Sequence, residues 1–233
     1  MKIASLLTTT LIAGALFITG CANKDMQTEN HSGFLKNYDN LEENDNFKDA
    51  RINVAKDADF TKYEYIYIEP VQVIHGASET KISAQEEELF KEISDYLTAG
   101  YKTAIQNGSG YKLAQTKDQA NTLIFEGAIS AVEVHFDDMV WYQFTPITLV
   151  LTGMARATYV DGAVRILGEG RFTDAQTNEV LMRAMLLQKG DEITTDADKL
   201  VFKDVKSALD TWLKRSNKNL ATLKEGKVKF SDD

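Results

Sequence analysis

This chain of 233 residues has a single cysteine, Cys21. One cysteine cannot close an internal bridge, so a disulfide-stapled scaffold is excluded. Positive charge is also scarce. Lysine and arginine number 26 against 35 aspartates and glutamates, for a formal net charge of −9. A surface of that sign is poorly suited to hold nucleic acid or an anionic bilayer through its field. Histidine occurs three times, at His31, His75 and His135. There is no Gly-x-Ser-x-Gly elbow, no internal repeat and no low-complexity run. Two Gly-x-Gly pairs, Gly108-Ser109-Gly110 and Gly168-Glu169-Gly170, lack the strand before and helix after that a dinucleotide fingerprint requires. The first reads as helix punctuation, the second as a strand irregularity.

What the chain does have is concentrated at its start. Lys2 is followed by Ile3 to Ile18, apolar apart from Ser5 and three threonines, and then by Thr19-Gly20-Cys21. Basic, apolar and small residues in that order are the layout of a secretory signal. The apolar stretch of roughly 16 residues is shorter than the roughly 20 needed to span a bilayer. Ile18-Thr19-Gly20-Cys21 resembles the bacterial lipobox, which implies cleavage before Cys21 and lipidation of its thiol. Residues 1–20 thus read as a signal peptide, and their loss removes one lysine, leaving a charge of −10. Residues 21–31 are polar and aperiodic and read as a lipidated flexible tether. Two or more acyl chains on Cys21 would anchor the protein stably, where one binds marginally.

Periodicity organises the rest. Residues 32–60 are charged with isolated apolar anchors, and read as an irregular strap over the folded body. Tyr63 to Ile74 alternates and reads as a strand, at an edge or near its end at Pro70. Ser83-Ala84-Gln85-Glu86 is a capping box. Leu89, Phe90, Ile93, Leu97, Tyr101, Ala104 and Ile105 then follow helical spacing to a stop at Asn107-Gly108. Strands are expected at Tyr111–Gln115, Thr122–Phe136, Thr148–Val160, Ala163–Phe172 and Glu179–Gln188. Asp161-Gly162 reads as a two-residue hairpin turn and Asp174–Asn178 as another turn. Thr195–Asp198 can cap a second helix buried through Val201, Phe202, Val205, Leu209, Trp212 and Leu213. Lys214, Arg215 and Lys218 suit its C-terminal end, and residues 224–233 read as a frayed tail. The expected fold class is α+β: a mostly antiparallel sheet with two main helices packed on it, as a single domain over residues 32–223.

Candidate chemistry is thin. His135 lies near Glu133, Asp137 and Asp138, but metal sites need convergent ligands, and a structural or surface role is the simpler reading. Glu126 and Glu133, with Arg156, Arg165, Arg171 and Arg183, are explained by cross-strand ion pairs. No catalytic residue, cofactor or metal is expected. The aromatic run around Met139, Trp141, Tyr142 and Phe144 lies between two long strands. It is the candidate contact for a partner, with a loop folded onto the core as the alternative.

Ser32-Gly33-Phe34-Leu35 followed by Tyr38 and Leu41, and Tyr63 through Pro70-Val71, resemble motifs of the bacterial lipoprotein family of domain of unknown function 3313. That family likewise carries an SGFL…Y..L segment after the lipobox and a strand ending in Pro-Val before a helix. The resemblance implies a single α+β domain in the cell envelope and transfers no catalytic residue. Ala22 after Cys21 implies, by analogy with related Gram-negative lipoproteins, passage to the outer membrane, facing the periplasm. The leading expectation is a non-enzymatic lipoprotein, held to the membrane by acyl chains on Cys21, that binds or supports another envelope component. A periplasmic small-molecule-binding lipoprotein, with its pocket between helix and sheet, is the alternative; an envelope hydrolase is third.

Overall fold

The computed structural model describes residues 31–44, 47–74, 83–135, 160–195 and 200–228. Among them the chain forms eight strands and two helices: β1 (Glu42–Asn44), β2 (Phe47–Val54), β3 (Tyr65–Ile68), β4 (Gln72–Val73), α1 (Ala84–Gln106), β5 (Lys112–Leu113), β6 (Thr122–His135), β7 (Val160–Asp174), β8 (Val180–Thr195) and α2 (Phe202–Lys224). They build one sheet in the order β1-β2-β8-β7-β6-β3-β5, with β4 also on β6. The three long strands β6, β7 and β8 run antiparallel, and β2 continues that pattern. At the other margin β3 and β4 lie parallel to β6, because α1 carries the chain across before β6 begins. The domain is α+β, with two helices on one face of a mostly antiparallel sheet, as the periodicity implied.

Helix α1 starts as its sequence dictates. The Ser83 side chain accepts from the Glu86 amide, and Glu86 accepts in return from the Ser83 amide at 2.7 Å. All seven residues of the expected apolar stripe are buried. Ile93 in its middle has no exposed surface. At its end Gly108 takes φ +107°, the left-handed backbone that favours glycine.

Several local expectations are corrected. Asp161-Gly162 is not a turn: both residues lie inside β7, facing Thr194 and Ile193 of β8. A two-residue turn preference is local, whereas β7 is laddered on both sides, by β6 and β8, over most of its length. Residues 63–74 do not form one strand. Glu69 still donates to the Phe125 carbonyl of β6; at Pro70 the backbone leaves the ladder, and Val71 instead bonds α1, its N–H donating to Thr98 Oγ1 (2.9 Å) and its carbonyl accepting from Ser94 Oγ (2.5 Å). Thr195 ends β8 rather than capping a helix. The cap residue of α2 is Val201, whose N–H donates to the Asp204 carboxylate (3.1 Å). Lys214, Arg215 and Lys218 are not at the helix end, because Leu220 and Leu223 continue the buried stripe to Lys224. The tail is ordered at its start: Lys224 Nζ donates to the carbonyls of Thr61 and Tyr63, and Val228 is buried. The strap is not irregular throughout: β1 and β2 add two strands to the sheet edge, with a register slip between Glu43 and Asn44, while 32–41 and 55–60 lie outside strands.

The two faces of the sheet differ. Val164, Ile166 and Phe172 of β7 face the helices and join the main apolar cluster. The irregularity expected here falls at Gly168: the register slips between the pairs Ile129–Gly168 and Ala131–Leu167, with the extra residue on β6, while Gly170 keeps register opposite Gly127. A Cβ on Gly168 would come within 1.7 Å of the Trp212 ring, and one on Gly170 within 3.1 Å of the Phe125 ring. Glycine is required at 168 because α2 presses the tip of the Trp212 ring against the strand.

Candidate functional site

On the opposite face the alternate residues of β7 are Arg165, Leu167, Glu169 and Arg171, and it is here that the strap docks. The Ser32 hydroxyl accepts from the Phe34 amide at 3.1 Å. Gly33 at φ +82° turns the chain, and the Lys36 amide closes the turn onto the Gly33 carbonyl at 3.2 Å. Phe34 lies under the Arg171 guanidinium, 5.4 Å from ring centre to Cζ, and its carbonyl accepts from Arg171 at 3.3 Å. Leu35 is buried in a small socket of Ala131, Leu167 and Met185. Tyr38 then reaches across to donate to Glu169 Oε2 at 2.6 Å. Each residue of the SGFL…Y segment therefore has a stated contact.

The electrostatics follow the geometry. Burial, reinforced by the bond to Glu169, pushes the Tyr38 hydroxyl up to about 12, so it stays a donor. Glu169 is buried and its Oε1 has no partner among the described residues. Arg171 also grips Glu126 with two nitrogens, at 2.6 and 2.7 Å. The hydrogen bonds from Arg171, outweighing partial burial, hold the Glu126 carboxyl below its ordinary range. This is one of the cross-strand pairs expected from sequence, with Glu126 directly opposite Arg171. Arg183 instead donates to Asn53 at 3.2 Å. His31, read as part of the free tether, stacks on Tyr38 with ring centres 3.8 Å apart. Burial lowers its pKa against the pull of Glu169 and Asp39.

A second feature lies on the helix face. Between α2 and the sheet is a half-enclosed cavity of about 100 Å³. Small residues line its floor: Ala50 on β2, Gly168 and Gly170 on β7, and Ala184 on β8. Aromatic rings of Phe47, Phe125, Phe172 and Trp212 form its walls. Trp212 is held by a 2.7 Å hydrogen bond from its Nε1 to the buried Tyr101 hydroxyl. Ser216 and Asn219 of α2 are polar side chains in the lining. The alternative expectation put a pocket between helix and sheet but named none of its lining, and the Tyr38–Glu169 latch was not foreseen. A strict period-two reading of 163–172 sets two glycines on the apolar face and a glutamate on the other, but it names no partner for either.

Cys21 and the aromatic candidates Met139, Trp141, Tyr142 and Phe144 lie outside the described residues, as does most of the strand expected at Thr148–Val160. Among the described residues no group of three or more His, Cys, Asp or Glu could hold a metal ion. No described helix is long and apolar enough to cross a membrane.

Comparison with known proteins places this architecture. Residues 30–216 match the family described as "Protein of unknown function (DUF3313)", and the chain belongs to that family. It is 27% identical over 213 residues to the uncharacterized lipoprotein YdcL of Escherichia coli K12, covering 90% of this chain and 94% of that one. Among solved structures, protein XCC0632 of Xanthomonas campestris matches with TM-score 0.37 and 10% identity, over 76% of this chain and 93% of that chain. A DUF4136 family protein of Bacteroides thetaiotaomicron matches with TM-score 0.33 and 12% identity, over 76% and 94%.

Proposed function

We propose that this DUF3313 protein is a non-enzymatic envelope lipoprotein. Acyl chains on Cys21 hold it to the membrane, at the periplasmic face of the outer membrane, and its domain binds or supports another envelope component. The docked strap is the observation that carries this reading. The chain is fastened to the sheet from His31 onward by Tyr38, Leu35 and the Arg171 contact to Phe34. Residues 22–30 then span at most about 30 Å when fully extended, so the domain would be held close to the bilayer. The lipobox resemblance and the lipoprotein relative support the anchor. The run containing Met139, Trp141, Tyr142 and Phe144 joins β6 to β7 in the chain, and it is the proposed contact for the partner. Fatty-acid labelling in cells tests the anchor: Cys21→Ser should lose all label and accumulate uncleaved precursor. Label retained on that variant would contradict it. Trp141→Ala with Tyr142→Ala should remove a crosslinked partner while leaving the melting temperature within a few degrees.

The cavity favours a second reading, that the domain also takes up a small molecule between helix and sheet.

A further inference from the structure

We infer that the cavity between α2 and the sheet binds a small uncharged apolar molecule: a single ring or a short alkyl chain, with at most one neutral polar end. The inference rests on the second reading above and names its ligand class.

Protein interiors are packed to crystal density and leave few voids larger than a water molecule. Here the space does not come from loose packing. The glycine that carries Trp212 could not accept even a methyl group, with 1.7 Å between its ideal Cβ and the ring. Trp212 is fixed by Tyr101, and Tyr101 packs on Phe125 at 4.7 Å between ring centres. Phe125 in turn packs on Phe172 at 5.1 Å. The walls are therefore held in place before any ligand arrives, which lowers the ordering cost of binding. The room itself comes from Ala50 and Ala184, small side chains on neighbouring strands.

The lining sets the chemistry. Glu169 contributes to it, but its carboxylate is engaged on the other face by Tyr38. Among the described residues no other lining residue is charged. A charged ligand would be buried without a partner, at heavy desolvation cost. The Ser216 hydroxyl donates to the Trp212 carbonyl at 3.0 Å. The half-buried Asn219 amide, one turn on, can meet a single neutral polar group. The size agrees: an apolar cavity of roughly 150 Å³ stays dry and takes benzene, and about 100 Å³ is of that order.

Trp212 provides its own reporter. In a Trp141→Phe protein it is the only tryptophan. Toluene, 1-hexanol and hexanoate would be titrated at neutral pH while its emission and the melting temperature are followed. Toluene and hexanol should change the emission saturably and raise the melting temperature. Hexanoate, with the same alkyl body and a charge, should bind at least tenfold more weakly. Ala184→Leu should fill the space and weaken hexanol at least tenfold without lowering the melting temperature of the free protein. Ala50→Val gives the same test if that variant does not fold. Hexanoate binding as tightly as hexanol would overturn the uncharged class but leave a ligand-binding domain. A saturable response that survives both filled variants would place the site elsewhere and overturn the cavity. No saturable response to any of the three would overturn the ligand class and the second reading together.

Discussion

The sheet meets different neighbours on its two faces, and one strand shows both. From β7, Val164, Ile166 and Phe172 face two long helices, and their burial there is apolar and non-directional. From the same strand, Leu167, Glu169 and Arg171 face the strap, where four buried residues among those described form an apolar cluster. The strap is held instead by directed contacts: Tyr38 to Glu169, and Arg171 to the Phe34 carbonyl. A packed helix face tolerates exchange of one apolar residue for another of similar volume. A polar latch does not, because removing one partner leaves the other buried and unpaired. The strap also makes fewer apolar contacts, which puts it at the low-stability end of the molecule, next to the proposed anchor.

Substitutions on each face sharpen this contrast. The largest effect should come from Ile93→Asp, which buries a carboxylate on the inner face of α1 and should unfold the domain. Lys91→Asp, on the exposed side of the same helix, should cost little; it loses the surface pair with Asp95. Urea midpoints compare the two, and similar values would mean that the helical register is wrong. On the strap face, Leu35→Ala empties the socket over Leu167 and should cost about 2–4 kcal/mol. Chemical denaturation should show that loss with an unchanged slope. Tyr38→Phe keeps the ring but leaves Glu169 without its donor, and should cost about 1–3 kcal/mol. A loss as large as that of Leu35→Ala would mean that the latch outweighs the socket.

The smallest effect is a dependence on pH. Arg171 depresses the Glu126 carboxyl. For Asp174, burial pulls upward but is outweighed by the Tyr63 hydroxyl and the Thr177 and Gln176 amides, so its pKa is lowered too. A carboxyl depressed on folding stabilises the folded state fully above its unfolded value, here 4.5 for glutamate and 3.8 for aspartate. That contribution is lost as the pH falls through the folded value. Melting temperature against pH should therefore fall less steeply below pH 4.5 in Glu126→Gln than in the unaltered protein. Parallel curves would remove Glu126 from the acid response.

The contrast between the faces also governs what could be read from sequence. The stripe on α1 was legible residue by residue, since a helix packing on a sheet needs only one apolar face. The Asp161-Gly162 signal misled because it is local, and pairing with β8 overrules it. The cap of α2 was missed because Val201 has no side-chain acceptor, and the aspartate three residues on does half the work of a capping box. The latch could not be read from spacing at all: Tyr38 and Glu169 are 131 residues apart. Only the family-like segment around Ser32 and Tyr38 drew notice to one side of it. The cavity is written in what Ala50 and Ala184 lack, and periodicity records the apolar character of a position better than its volume.

The docking of the strap is tested most directly by melting two soluble chains, one beginning at Ser32 and one at Glu42. The shorter chain keeps β1 and β2 but loses Phe34, Leu35 and Tyr38. Losing Leu35 alone should cost about 2–4 kcal/mol, and each kcal/mol lowers the melting temperature of a domain this size by roughly 2–4 °C. The chain from Glu42 should therefore melt at least about 5 °C lower. Equal melting temperatures would contradict a docked strap and leave residues 32–41 as part of the free tether.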